Sequence, residues 1–451
     1  MLAPVNTLFN CRRPLNLLIW KYLIPKAAAM NASESKRRWF VPTPGWLVFA
    51  CVAITAFLLL SHRYQWFAFS QYRWATTLFI AMNIGVTLIL LLLWLFAALL
   101  FRWRFQFTIR SLFLVAVAIA LPCGWAAFRM RDAMGQRQGV ALVERLGGDV
   151  HLGNGHMPDW WEKMHWLLPD VVFEEVEFVE FEPNKSKLSS DDLQEMVRLL
   201  PHIQLAFLKS SGITDEDLEA LAGLKELAWL SLSNNSITDN GLRRLENANN
   251  IRALDLDNTS VTDNGLELLA KHQLWGLSLS GTRVSDAGLV WLRGHKLRSL
   301  TLDRTQISDA GLAHLAHQEG LQLLNLSNTR ITDAGLASIG GLKELGQLDL
   351  SRTKVSDTGI KLLDGISILL DLNLSDTQIT DRGLEFLKGK IQLNELNLAN
   401  TNVTDHGLEQ LATLTSDGTE LLDKLVLTGT RTTQDGIKKF QRACPSCTVV
   451  R

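Results

Sequence analysis

The chain has 451 residues, room for two or three domains, and its 45 basic and 46 acidic side chains leave a net charge of −1. No basic excess therefore points to nucleic acid, and charge alone names no partner. The apolar fraction of 47% and the 14 Trp are high, and both are concentrated in particular segments.

Three apolar stretches occupy the first 130 residues: 46–60 ("WLVFACVAITAFLLL"), 76–101 ("TTLFIAMNIGVTLILLLLWLFAALLF") and 111–128 ("SLFLVAVAIALPCGWAAF"). A membrane-crossing helix needs about 17–25 such residues. The second stretch qualifies outright, and interfacial residues extend the other two. Trp46, Trp66, Trp74, Trp103 and Trp125 fall near their ends, where an aromatic belt places them. The spans hold Asn83 and Pro122, neither of them ionisable, which is too little for a transport path. Lys and Arg cluster before the first span (Arg12, Arg13, Lys36, Arg37, Arg38) and in the second loop (Arg102, Arg104, Arg110). That bias puts the N-terminus in the cytoplasm and the C-terminal part outside it, by a margin that shrinks if translation starts at Met30. Lys21 and two prolines interrupt the apolar run within residues 1–29, which argues against a cleaved signal peptide.

After the spans, "RMRDAMGQRQGVALVERLGG" (129–148) has the pattern of an amphipathic helix stopped by a glycine pair. Residues 157–170 ("MPDWWEKMHWLLPD") suit a short helix, and 171–182 ("VVFEEVEFVEFE") alternates like a strand with one buried face. These form a connector and N-terminal cap.

Residues 355–360 ("VSDTGI") contain Asp357-Thr358-Gly359, the tripeptide of aspartic proteases. Thr/Ser-Asp-x-Gly-Leu/Ile recurs, however, with its Asp at 239, 263, 286, 309, 333, 357, 381 and 405, a period of 23 or 24 residues. A weaker copy stands at Asp215 and a degenerate one at Gln434-Asp435-Gly436. A protease needs two carboxylates sharing a proton, whereas these are copies along an array. Before each motif runs "LxxLxLxxTxI", as in Leu345, Leu348, Leu350, Thr353 and Val355; after it come apolar residues at helical spacing. The Thr column (Thr259 to Thr430) is placed to bind backbone groups at the turn. Thr/Ser-Asp is expected to cap its own helix, and Gly to allow close packing or an unusual backbone conformation.

The period and leucine pattern resemble the leucine-rich repeat superfamily, in the 23–24 residue form of ribonuclease-inhibitor-like arrays. With "FTIRSLFLVAVAIALPCGW", "ERLGGDV" and the closing "ACPSCTVVR", the arrangement over about 105–451 is similar to bacterial membrane-anchored leucine-rich repeat proteins. The resemblance implies a solenoid and binding, and no enzymatic activity. No F-box-like domain precedes the repeats, so an adaptor role in ubiquitin ligation is not implied.

The expected fold is an α/β leucine-rich repeat solenoid, a horseshoe with parallel strands on the concave face, preceded by an all-α three-span transmembrane region. Its parts are an N-terminal segment (1–44), cytoplasmic and partly disordered, the three helices (45–128), connector and cap (129–175) and the repeat domain with C-terminal cap (176–451). Candidate partner-binding residues on the concave face are Trp229, Asp255, Asp257, Asp303, Asn325, Asp349, Asp371, Asn373 and Glu395. The surface reads as polar and mildly acidic with Trp229 as its clear aromatic, bordered by Arg283, Arg304, Arg330, Arg352 and Lys354. The stretch "LATLTSDGTELLDK" is about five residues longer than its sisters and is read as the start of the C-terminal cap. Cys444 and Cys447 lack a His at zinc-site spacing, and no disulfide framework is expected.

The expected function is a membrane-anchored, non-catalytic protein-interaction or scaffolding module. It lies in a bacterial inner membrane with its repeats on the non-cytoplasmic side, and binds an unnamed protein rather than nucleic acid, cofactor, metal or small molecule. The alternatives are an enzyme with a site outside the repeats, such as Cys447 with a nearby His, or a structural envelope protein without a specific partner.

Overall fold

The computed structural model describes residues 131–153, 175–183, 187–366, 368–387, 393–415 and 422–451, with the isolated positions Ile54, Gly85, Val86, Ile89 and Gly124. The N-terminal segment, the three apolar stretches apart from those positions, and the Trp-rich stretch 157–170 lie outside the described residues. Among the described residues no helix is long and apolar enough to cross a membrane. The chain divides into two compact units, 1–71 with 75–119, and 72–74 with 120–451; the repeats form the second.

One sheet carries its strands in sequence order. They are β1 (Gly148–Gly153), β2 (Glu175–Phe181), β3 (Leu205–Phe207), β4 (Trp229–Ser231), β5 (Ala253–Asp255), β6 (Gly276–Ser278) and β7 (Ser299–Thr301). The order continues through β8 (Leu323–Asn325), β9 (Gln347–Asp349), β10 (Asp371–Asn373), β11 (Glu395–Asn397), β12 (Lys424–Val426) and β13 (Thr448–Val450). β1 and β2 are antiparallel, and from β2 onward every pairing is parallel. Between strands run helices of four to eleven residues, such as Asp309–Leu312, Asp333–Ile339 and Asp405–Thr415, and, among the described residues, one 3-10 helix, Gly288–Gly294. Helices are about 10 Å wide whereas paired strands are about 4.8 Å apart, so stacking the two layers in step bends the solenoid with its sheet inside.

The central residue of each short strand points into the core: Leu230, Leu254, Leu300, Leu348 and Leu372 are at most 2% exposed. Leucines two places on (Leu232, Leu350) and on the helices (Leu336, Ile360) close it from the other side. Each such burial contributes roughly 1.5–3 kcal/mol, and only a neighbouring repeat covers the open ends. The connector is helical through residue 145, buries Leu142 and Val143, and stops at Gly147 with φ 80°. β2 departs from simple alternation. Val176, Val179 and Phe181 face the core while Phe178 turns outward, beside a register shift at His151/Leu152.

The Thr-Asp-x-Gly motif joins repeats rather than capping one helix twice. Asp357 Oδ1 accepts from the amide of Thr380 in the next repeat at 2.8 Å, and Oδ2 from its hydroxyl at 2.6 Å. The same two bonds join Asp215 to Thr238, Asp239 to Thr262, Asp309 to Thr332 and Asp333 to Ser356, and so on to Asp405 with Thr433. The expectation that Asp holds its own helix start is thereby corrected. The hydroxyl alone is the N-cap, Ser356 Oγ accepting from Thr358 N at 3.3 Å while it donates to Asp333. The Asp serves the neighbour because its side chain leaves the first turn toward the next repeat. The carboxylate of Asp357, tied to Thr380, is half of no protease dyad.

Gly359 is required for close approach, not for an unusual φ: a Cβ there would lie 2.4 Å from Asp333 Oδ1 and 3.0 Å from Leu336 Cδ1. Unusual φ belongs to the residue before the Thr column, where Asn234, Asn258, Asn328 and Asn400 have φ of 52–57°, a conformation Asn tolerates. The Thr hydroxyls then donate to the carbonyl three residues back, as Thr353 Oγ1 does to Leu350 O at 2.5 Å.

At the C-terminal end the long repeat stays inside the array. Its helix extends over Asp405–Thr415, and β12 and β13 pair in register beyond it. It is an elongated repeat rather than the start of the cap, because Thr433 closes a rung onto Asp405 across it. The cap is the helix Gln434–Ala443 with β13, which buries Phe440, Cys444 and Cys447.

Two buried histidines interrupt this regularity. Gln318 donates Nε2–H to Leu292 O at 2.9 Å and accepts from Leu297 N at 3.1 Å. In the same place of earlier repeats, His272 donates Nε2–H to Leu245 O and His295 Nδ1 accepts from Leu274 N. Nδ1 of His272 and Nε2 of His295 are left buried without a partner. Burial lowers the proton affinity of both rings; the charge on His272 adds to this for His295.

Asp357→Ala should cost about 1–3 kcal/mol by stranding the Thr380 amide, as Asp309→Ala should for Thr332. Gly359→Ala should cost a similar amount, about 1–3 kcal/mol, by displacing the Asp333 carboxylate. Combining it with Asp333→Ala should cost less than the sum, because the obstructed group is gone. Urea denaturation checks all four, and an effect confined to the Asp357 copy would contradict the equivalence of the rungs.

The histidines set a pH dependence. Their folded pKa values lie below the unfolded value of about 6.5, so the unfolded chain binds more protons in acid. Stability should be full above about pH 6.5 and fall as pH drops below it. His272→Gln with His295→Gln should flatten that profile and add about 1 kcal/mol per site, thermal melts between pH 5 and 8 providing the measurement.

Candidate functional site

The face of the sheet turned away from the core carries the first and third residue of each short strand, since successive side chains alternate. Seven of the nine candidates occupy these places. Trp229, Asp371 and Glu395 hold first places, and Asp255, Asn325, Asp349 and Asn373 third places. Asp257 and Asp303 follow two residues after their strands.

Much of this acidic row is engaged in holding its own turns. Asp349 Oδ1 accepts from Ser351 N at 2.8 Å and Oδ2 from Asn373 Nδ2 at 3.0 Å. Asn325 and Asn373 likewise accept from Ser327 N and Ser375 N. Asp371 takes the Gln347 amide at 2.7 Å, and Glu395 pairs with Lys424 at 3.1 Å. Over β7–β12 these side chains line a shallow groove of about 390 Å³.

Further up the array, Ser231 donates to Asp255 at 2.6 Å, while Ser278 and the Ser280 amide donate to Asp257. Burial pushes the Asp257 carboxyl above the ordinary carboxylate range, the charge of Asp255 adding to it against the two serines. Asp303 pairs with Arg304 at 3.1 Å. No cluster of His, Cys, Asp or Glu suited to a metal ion occurs among the described residues. Cys447, with its thiol pushed up to about 11 by burial, the neighbouring Cys444 and Asp423, is a poor nucleophile at neutral pH.

The N-terminal third of the face is aromatic. His151 stacks on Phe178 with ring centres 4.7 Å apart, Phe178 meets Phe207 edge-on at 5.0 Å, Phe207 meets Trp229 at 5.2 Å, and Trp229 meets Trp275 edge-on at 5.7 Å. Phe178, Phe207 and Trp229 are half-buried and Trp275 is 39% exposed, so the rings form a continuous strip open to solvent. Offset and edge-on pairs of this kind contribute about 0.5–1.5 kcal/mol each beyond burial. Sequence reasoning found only Trp229. Phe207 pairs in register with Ser231, so carrying the strand register one repeat back would have exposed it. Trp275 stands just before its strand, where no pattern marks it.

The family model described as Leucine Rich repeat matches residues 321–340 and 367–388. With the one-strand-per-repeat parallel sheet around it, the protein is a leucine-rich repeat protein. Among solved structures, an internalin of Listeria monocytogenes is 22% identical, over 65% of this chain and 94% of its own, with a TM-score of 0.42. Internalin C2 of the same species is 27% identical, over 49% and 84%, with a TM-score of 0.36. The plant peptide hormone receptor RGFR1 in complex with RGF2 is 16% identical, over 56% and 44%, with a TM-score of 0.36. No curated protein matches the chain at a significant level.

Proposed function

We propose that this protein is a membrane-anchored interaction module that binds a protein partner on the open face of its solenoid and performs no catalysis. The aromatic strip from His151 to Trp275 is the observation that carries the reading. Aromatic side chains that stay partly exposed in a rigid row offer large contact area at little entropic cost, and Trp is the residue most enriched at binding hot spots. The polar row of Asp255, Asp257 and Asp303 beside it, with Asn325, Asp349, Asp371, Asn373 and Glu395 beyond, supplies the surrounding rim rather than the anchor. The carboxylates there are bonded to their own turns, as Asp349 is, or to a neighbouring repeat, as Asp257, Asp371 and Glu395 are, so they present fixed acceptors.

Anchoring is supported by the hydropathy of 46–60, 76–101 and 111–128, and by the helical positions Ile54, Val86 and Ile89, which expose 47, 53 and 58% of their surface. The Lys and Arg bias supports a repeat domain on the non-cytoplasmic side of a bacterial inner membrane.

A photo-reactive amino acid placed at Trp229 or Phe207 of the full-length chain in cells should give one discrete cross-linked protein, while the same probe at Glu267 on the helical side should give none. Trp275→Ala should weaken the Phe207 product. Cross-linking of equal strength from both faces would remove the reading. Protease added to intact spheroplasts should degrade the repeats, and protection until lysis would reverse the orientation.

A further inference from the structure

A second surface adjoins the aromatic strip at the side where the chain runs into strands β6 to β10. There a groove of about 860 Å³ is walled by Trp275, Leu323 and Leu370, and bordered by Lys296 and Arg298. Trp275 and Leu370 expose 39 and 38% of their surface, and Gly346 in the lining brings no side chain of its own. Both cations are exposed, and no carboxylate among the described residues pairs with either; none lines the groove. Elsewhere on the array Arg244, Lys271, Arg304, Arg352 and Lys424 each meet a carboxylate.

We infer that this groove is the place where the partner's chain is read, and that it takes an acidic, amphipathic segment whose apolar side chains lie against Trp275, Leu323 and Leu370 while its carboxylates meet Lys296 and Arg298. The inference rests on the partner-binding reading of the open face. The edge-on contact of Trp275 with Trp229 makes the groove continuous with the aromatic strip, so one extended segment reaches both. Charge selects the occupant. The polar row of Asp255, Asp257 and Asp303 is acidic and would repel a carboxylate-bearing segment laid along the middle of the sheet, whereas this margin offers two cations without a carboxylate partner beside exposed apolar surface. An Arg guanidinium gripping a carboxylate in a fork geometry adds direction to the attraction. A basic segment would meet like charge here, which makes the groove discriminating as well as attractive.

The test uses the full-length chain and fluorescein-labelled synthetic peptides that alternate Leu with Glu or Leu with Lys, followed by polarisation, with phosphatidylglycerol vesicles as a third probe. The Leu–Glu peptide should bind at least about ten-fold more tightly than the Leu–Lys peptide, and raising salt should weaken it. Lys296→Glu with Arg298→Glu should abolish that preference while leaving the melting temperature unchanged, both residues being exposed. Leu370→Ser should weaken binding without reversing the charge preference. Equal binding of the two peptides, a preference that survives the double reversal, or binding to vesicles alone would each overturn the inference. Failure of the partner-face reading shows differently: it appears as loss of the Trp229 cross-link in cells, whatever the peptides do.

Discussion

Everything in the repeat domain depends on the pair of bonds between an aspartate of one repeat and the amide and hydroxyl of the next repeat's Thr or Ser. Burying leucines holds any two layers together but does not fix how far one slides over the other, since the hydrophobic effect has no direction. The carboxylate does fix it. At 2.8 and 2.6 Å from Thr380, Asp357 admits one register only, and Gly383, where a Cβ would lie 2.5 Å from that same oxygen, keeps the way clear. Three of the motif's residues are thus parts of one joint. The strands follow, each pairing with its neighbour without slippage from β2 to β13.

The sequence made the repeat visible and hid its bonding. Periodicity shows that Asp333, Asp357 and Asp381 are equivalent, but equivalence does not say whether a side chain serves its own helix or the adjoining one. Both choices satisfy the same local preference for a carboxylate near a helix start, and only the direction of the Asp side chain out of the first turn decides between them. The Thr column was readable because its partner carbonyl is three residues away. Alternation assigns Asp349 and Asp371 to the outer places of their strands, yet the engagement of such acids with their own turns is not legible in it, since Asp349 bonding Ser351 needs the backbone to fold back. The aromatic strip was missed for a related reason. Its members come from a bulged antiparallel pair, from strands in different repeats and from a residue outside a strand, so no single period contains them.

This distribution separates labour along the solenoid. The repeats that obey the pattern supply rigidity, and the places that depart from it supply chemistry: Phe178 where β2 breaks alternation, Trp275 just ahead of its strand, and Gly346 where a side chain is missing. The two buried histidines are departures of another sort. His272 follows the helix Asp263–Leu269 and His295 the 3-10 helix Gly288–Gly294, so the acid sensitivity is set in the middle of the array.

The joint also has a bearing on how such an array can change over generations. Each repeat carries both halves of the connection, a hydroxyl facing backward and a carboxylate facing forward, in one short motif. Any copy therefore fits before or after any other, and even the elongated repeat around Asp405 joins Thr433 by the same two bonds. Gain or loss of a whole unit by unequal recombination leaves no unmatched surface, so the length of the array is free to drift while the two end caps stay fixed.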